Sequence, residues 1–447
     1  MRIYRGGSKT AGPALVMGAV LLIVSAAGGG ICFAQGAEPS LKADTGDTAW
    51  VLASSALVLA MTVPGLALFY GGLVRKKNAL ATILHSLSIL SVISLLWILL
   101  GYSLTFGPDK GGMIGGLDWV GLAGVGMDPH PAYGPTIPHQ AFMVFQLMFA
   151  AITPALITGA YAERIKFSAM LFFSILWSLV VYAPVAHWIW GGGWLAKMGA
   201  LDFAGGAVVH ITSGVSALVC ALVLGQRRGY GTDYMAPHNL PLTLLGTGLL
   251  WFGWFGFNAG SALGANGVAV GAFVATHTAA ACGGLVWMLV EWMHRGKPTV
   301  LGMASGVIAG LATVTPGAGY VGPLSALMIG AIAGFLCYFA IVWKGKFGYD
   351  DALDVVGIHG VGGIAGILAT GLFASKAVNA GGADGLLFGN PGFFGVQALT
   401  VVVVAGFSLV MTYVLLKVLD VLTGLRVTPD EESSGLDLAQ HNERAYS

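Results

Sequence analysis

Two stretches of this chain pair a carboxylate with an imidazole eight residues apart. The first is Asp202-Phe-Ala-Gly-Gly-Ala-Val-Val-His210, and the second is Asp351-Ala-Leu-Asp-Val-Val-Gly-Ile-His359. Each leads into an apolar, Gly-rich run. On a continuous helix, eight residues are a little over two turns, which puts both groups near one face, about 12 Å apart. An ionisable side chain inside an apolar segment marks a functional site by default. A desolvated imidazole favours its neutral form, which donates from one nitrogen and accepts at the other. Two such rings can line an apolar passage with polar sites and no fixed charge, which suits a small polar solute or a proton relay.

Competing roles exist for each group. A single buried histidine can simply bond a neighbouring helix, and His85, His187 and His277 are expected to do so or to sit at helix ends. Metal or haem ligation would leave two histidines short of ligands, with no third His or Cys in a compatible position. No metal and no cofactor are therefore expected. Asp202 and Asp351 stand where helices begin, so each can cap free backbone N–H groups. Their field at a pathway mouth would equally favour a cation.

Aromatic residues supply the remaining chemistry. Trp251-Phe-Gly-Trp-Phe-Gly-Phe257-Asn-Ala-Gly-Ser261 alternates rings with Gly253, Gly256 and Gly260, so helices can approach while rings project into a lumen. Phe145-Gln-Leu-Met-Phe149 is its expected partner. Trp188 and Trp190 fall at the end of an apolar run, in the place of an interfacial belt. A Trp face also holds a cation, by about 0.5–2 kcal/mol depending on desolvation.

The elements that position these residues follow from composition. Of 447 residues, 56% are hydrophobic and only 9% charged, against about 25% charged in a soluble domain. That excess of apolar surface has no place in a soluble fold of this length, so the chain is an all-α polytopic membrane protein. A net charge of +1 argues against nucleic acid as a partner. The 69 glycines fit helices that pack closely through small residues. Cys32, Cys220, Cys282 and Cys337 are widely spaced and read as small packing residues.

Apolar runs at about 48–74, 79–105, 139–161, 167–187, 207–225, 241–263, 268–293, 299–314, 324–343, 355–373 and 394–422 predict eleven transmembrane helices. The run at 299–314 is the shortest and is interrupted by glycine. Residues 1–36 have the positive start, apolar middle and small-x-small end of a signal peptide, with a first membrane helix as the competing reading. Arg75-Lys76-Lys77, Arg164 with Lys166, Arg227-Arg228, Arg295 with Lys297, and Lys344 with Lys346 fall in alternate loops. The opposite loops hold only Lys110, Lys197 and Lys376. By the positive-inside rule the N-terminus lies outside and the C-terminus in the cytoplasm. The last helix of each set of five, in helices 1–5 and 6–10, opens at one Asp-x7-His element. An odd-numbered repeat must be inverted, which sets the two histidines about a pseudo-two-fold axis in the membrane.

These residues carry a family resemblance. Phe69-Tyr-Gly-Gly-Leu-Val-Arg-Lys-Lys-Asn78, Ala162-Glu-Arg-Ile165, Trp190-Gly-Gly-Gly193 and the Asp202–His210 stretch resemble the ammonium transporter family (Amt, Mep and Rh), most nearly its bacterial Amt members. So do Trp254-Phe-Gly-Phe-Asn-Ala-Gly-Ser261, Thr315-Pro316, Asp350-Asp-Ala-Leu-Asp-Val-Val-Gly-Ile-His-Gly360, and the tail Gly435-Leu-Asp437 with Ala445-Tyr446. The resemblance implies a domain over 37–423 and a cytoplasmic tail over 424–447 in a bacterial inner-membrane protein. It implies that Trp190, Phe149 and Ser261 recruit ammonium at an outer vestibule, with Asp202 near that site. Phe149 and Phe257 would close the mouth with Phe145 behind them, and His210 and His359 would line the lumen. Asp351 and Asp354 would be structural or electrostatic. The family further implies a homotrimer with one pore per subunit and a PII-type regulatory protein at the cytoplasmic face. An ammonium sensor signalling through that face and a membrane redox enzyme are the alternatives from other classes.

Overall fold

The computed structural model describes residues 41–446, so the signal-peptide expectation over 1–36, with Cys32, lies outside the described residues. Among the described residues ten helices are long and apolar enough to cross a membrane. They are α1 (Thr45–Leu73), α2 (Lys76–Phe106), α3 (His139–Tyr161), α4 (Phe167–Lys197), α5 (Gly206–Leu224), α6 (Leu240–Ala262), α7 (Gly267–Arg295), α9 (Pro323–Phe347), α10 (Val356–Phe373) and α11 (Pro391–Thr423). Between α7 and α9 lies the shorter apolar α8 (Val300–Val314). Its 15 residues reach about 22 Å, less than the roughly 30 Å of a hydrocarbon core. Two further short helices, α12 (Pro429–Ser434) and α13 (Leu436–His441), form the tail.

Polar residues start these helices where the apolar runs begin. Asp44, Asn239, Asn266, Thr299 and Asn390 each accept a backbone N–H from the first turn of the helix that follows, which satisfies a donor that the helix itself leaves free. Among the described residues, short strands depart from the all-helical expectation. The α2–α3 connection carries two small antiparallel hairpins, β1 (Asp109–Lys110) with β2 (Ile114–Gly115), and β3 (Pro129–His130) with β4 (Gly134–Pro138). Glycine and proline punctuate short apolar pieces there, too brief to show a period.

Burial sorts the helices into an inner and an outer set. The apolar window of α3 is 94% buried and that of α5 83%, whereas that of α11 is only 28% buried. Leu95, Leu245, Leu324 and Val402 point outward from α2, α6, α9 and α11, as side chains facing lipid or another chain would. The largely buried α8 meets the outer helices α7 and α9 through glycine. A Cβ on Gly306 or on Gly334 would lie 2.6 Å from the Gly283 carbonyl oxygen, so only glycine lets these backbones approach.

α5 and α10 open alike, each with a wide π-type turn, at Gly206–Ile211 and Val356–Val361. They cross at glycine: a Cβ on Gly214 would stand 2.1 Å from the Gly360 nitrogen. Helical backbone begins only at Gly206, after a bend at 203–205. Asp202 and His210 therefore do not share a helix face, which corrects the expectation drawn from their eight-residue spacing. The bend follows from Gly205, whose φ of +118° suits glycine.

At the end of the bundle away from the hairpins, buried charges knot the loops. Glu163 pairs with Arg75 at 2.8 Å and with Arg227 at 3.1 Å, and Arg227 pairs with Asp350 at 2.8 Å. Burial alone would raise both carboxyls; for Glu163 the charges of Arg227 and Arg75, and for Asp350 the hydrogen bonds and charge of Arg227, outweigh it and hold them below their ordinary values. The tail joins the same knot. Glu432 accepts from the Arg228 nitrogen at 2.7 Å and from Arg426 at 2.8 Å. Asp437 accepts from the Leu80 and Ala81 nitrogens, at 3.1 and 2.8 Å, near the start of α2.

Candidate functional site

The site is assembled on α3, α4, α5, α6 and α10. Asp202 sets the first part. Its Oδ1 accepts from the Gly205 and Gly206 nitrogens at 2.8 and 2.6 Å, and its Oδ2 from those of Ala207 and Val208 at 2.7 and 3.0 Å. Both oxygens are thus committed to the opening of α5, which fixes the turn carrying His210. Asp351 acts in the same sense on α10, with Oδ2 accepting from the Val356 nitrogen at 2.7 Å. Its Oδ1 is buried with no hydrogen-bond partner. Asp354 is paired with Lys344 instead.

The two histidines meet. His210 Nδ1 and His359 Nδ1 lie 3.1 Å apart, and the ring centroids 5.1 Å apart at 27°. A single proton serves that contact, so one ring donates and the other accepts. The donating neutral ring then keeps a lone pair on Nε2, and its partner keeps an Nε2–H. The pair therefore offers one acceptor and one donor to the space around it. His210 Nε2 is buried without a partner. Trp254 stacks on His210 at 5.7 Å and is itself anchored by a 2.9 Å bond from Nε1 to Thr315.

The phenylalanines stand over this pair. Phe149 from α3 and Phe257 from α6 stack at 4.2 Å and 27°. Phe145 meets Phe149 edge-on at 5.0 Å and is fully buried behind it. Phe257 lies 6.2 Å from the His210 ring.

Trp190, Ser261, Phe149 and Asp202 all border one open cavity of about 270 Å³. Trp190 meets Phe149 at 5.8 Å and 90°, and its Nε1 donates to the Asp202 carbonyl at 2.7 Å. Ser261 spends its proton on the Phe257 carbonyl at 2.8 Å, which leaves its oxygen as an acceptor. Trp188 does not form an outward-facing belt: it is buried, with Nε1 donating to Met113 at 2.8 Å. Beneath the Phe pair is a second, narrow space of about 20 Å³. Phe257, Trp254, His210, His359 and Asp354 line it. That volume holds about one water-sized molecule.

Sequence reasoning passed over several residues here. Gln146, Tyr133 and Tyr320 also border the outer cavity, and Gln146 Oε1 is buried without a partner. A lone amide one position after Phe145 in an apolar run was the available signal. The three other histidines expected to have structural roles divide: His187 bonds Thr105 and Asp109, whereas His85 and His277 stack on Phe167 and Trp251. Among the described residues no group of three or more His, Cys, Asp or Glu is placed to hold a metal ion.

The sequence model described as "Ammonium Transporter Family" matches residues 49–446. The ammonium transporter of Bacillus subtilis is 53% identical over 402 residues, covering 90% of this chain and 98% of that one. Ammonium transporter Amt1 of Archaeoglobus fulgidus is 50% identical, covering 90% and 99%. Among solved structures, Mep2 of Candida albicans superposes with a TM-score of 0.83 at 39% identity, covering 90% of this chain and 91% of that one. A structure described as a sensor Amt protein gives a TM-score of 0.81 at 30% identity, covering 89% and 98%.

Proposed function

The chain belongs to the ammonium transporter family, and from that premise we propose that it takes up ammonium and methylammonium and passes the nitrogen through its core as the neutral amine. It is a multi-pass membrane protein. The observation that carries the reading is the stacking order of three features: an aromatic-walled cavity, a Phe pair beneath it, and a bonded His pair in a space for one small molecule.

Trp190 and Ser261 recruit ammonium, the ring through its quadrupole and the hydroxyl oxygen as acceptor. Phe149 and Phe257, with Phe145 behind, separate this vestibule from the lumen. Carrying a bare ion through an apolar lumen costs many kcal/mol. Ammonium escapes that cost by leaving a proton behind, whereas potassium has none to give. Ammonia is both donor and acceptor, which matches the lone pair and the N–H that a singly bonded neutral His pair presents. It regains a proton beyond His359. Asp202 serves as the cap that holds His210 in place, and Asp351 and Asp354 serve structural and electrostatic roles at the α10 opening.

The surrounding architecture follows the same reading. α8 crosses with the ten longer helices, giving eleven, with the N-terminus outside and the tail in the cytoplasm. The like openings of α5 and α10 and the Gly214–Gly360 contact support an inverted repeat of α1–α5 and α6–α10. Residues 1–36 act as a signal peptide, 37–423 as the transport domain and 424–447 as the tail. The protein is a homotrimer in a bacterial inner membrane, and a PII-type regulatory protein docks on its cytoplasmic face.

The deciding experiment is methylammonium flux into proteoliposomes with current recording. We expect uptake by the wild type, with selectivity over potassium. Joint substitution His210→Ala with His359→Ala is expected to lower uptake at least tenfold or to admit potassium. Unchanged flux and selectivity in the double variant would remove the His pair from conduction. Binding without flux in the wild type would overturn transport in favour of sensing.

A further inference from the structure

We propose that His187 is a positioning residue for Trp190: held as an imidazolium between the Thr105 carbonyl and the Asp109 carboxylate, it locks the turn that aims the Trp190 ring into the vestibule. The inference rests on the reading of Trp190 as the recruiting ring. His187 is fully buried, three residues before Trp190. Its Nδ1 lies 2.8 Å from the Thr105 oxygen and its Nε2 lies 3.0 Å from Asp109 Oδ1. A carbonyl is only an acceptor, so Nδ1 donates. Asp109 is also an acceptor, because Oδ1 receives the Gly112 N–H at 2.7 Å and Oδ2 is bonded to Lys197. Lys197 and His187 hold the Asp109 carboxyl well below the usual carboxylate range. Both ring nitrogens therefore face acceptors, and a ring that satisfies both carries two protons.

The turn is built around this ring. The Gly191 and Gly193 nitrogens donate to the His187 carbonyl at 3.0 and 2.9 Å. A Cβ on Gly191 would stand 2.2 Å from the Thr105 oxygen and 2.6 Å from His187 Nδ1, so the chain after Trp190 wraps the imidazole as closely as glycine allows. Tyr133 donates to the Gly191 carbonyl from the vestibule side at 3.3 Å. The clamp thus ties the end of α2, the β1–β2 hairpin and the end of α4 to one side chain. The titratable groups on the segments packed against this turn are Tyr102, Tyr133, Tyr182, Asp202, His210, Asp109, Lys110 and Lys197. Of these Asp109 alone bonds the ring, and Lys197 bonds Asp109.

The test reads protonation and transport separately. Solid-state 15N spectra of histidine-labelled protein in bilayers at about pH 7 are expected to contain one imidazole with both nitrogens protonated. That signal should vanish in His187→Gln and turn neutral in Asp109→Asn. Both variants should raise the apparent KM for methylammonium roughly tenfold, with Vmax within about twofold, through loss of one charge-assisted bond. A neutral His187 in the wild-type spectrum overturns the proposal, and that measurement needs no variant to fold. An unchanged KM in folded Asp109→Asn overturns it as well. An unchanged KM in Trp190→Ala instead overturns the vestibule reading on which it rests.

Discussion

Replacing Asp202 by asparagine separates capping from cation binding, because the two side chains have nearly the same shape. The carboxylate accepts four backbone N–H groups at 2.6–3.0 Å while 5% exposed. Asparagine keeps one accepting oxygen, so two of those bonds survive in weaker, uncharged form. Its amide nitrogen then faces the other two N–H groups donor against donor. Two charge-assisted bonds at about 1.5–3 kcal/mol each are lost, and the helix end loses a compensating negative charge. Some water reaches the vestibule side, so we expect a net cost of about 3–5 kcal/mol. In detergent this should appear as a fall in Tm of roughly 5–10 °C. Uptake should fall with it, because the frayed turn carries His210. A Tm within about a degree of wild type in Asp202→Asn would refute the capping argument. If KM rose while Tm held, the carboxylate would be acting on the cation directly.

Three other outcomes follow from the same geometry. Gly214→Ala places a methyl 2.1 Å from the Gly360 nitrogen. It should cost about 1–3 kcal/mol or more by overpacking and should abolish flux by parting the His pair, read as Tm and uptake. Ser261→Leu removes an acceptor from the vestibule and should raise the apparent KM for methylammonium by about tenfold, with no change in Tm beyond a few degrees. Arg227→Met leaves Glu163 and Asp350 without their shared partner and should cost about 3–5 kcal/mol. Both carboxyls have lowered folded-state values. Their contribution is therefore complete above their ordinary values of 4.5 and 3.8 and is lost as pH falls through the lowered ones. Wild-type Tm should decline over that acidic window, and Arg227→Met should flatten the decline.

The membrane class and the helical spans were legible because they depend on local quantities. Apolar composition and run length specify where a helix can cross, and each expected span overlaps an observed helix. The end of α4, expected at 187, comes at Ile189; after a turn at 190–193 a separate short helix, Trp194–Lys197, completes the span. At Trp190-Gly-Gly-Gly193 the chain leaves the helix, and the Gly191 and Gly193 nitrogens bond the His187 carbonyl to close the turn. The α2–α3 hairpins were missed because their strands are two to five residues long and leave no periodic trace.

What the sequence by itself determined was the inventory: which residues carry chemistry, that they lie in apolar helices or at their ends, and that the Asp-x7-His element occurs twice. Composition and spacing suffice for that, since the hydrophobic driving force and helix caps act over neighbouring residues. Tertiary structure alone decided the pairings. The His210–His359 contact joins residues 149 apart in sequence, and it exists because Gly214 and Gly360 let two helix backbones touch. Spacing placed Asp202 on a helix face with His210, but the bend at Gly205 turned it into the cap beneath that helix. A residue's partner across the bundle depends on crossing geometry and on which side chains are absent, and neither leaves a local signal.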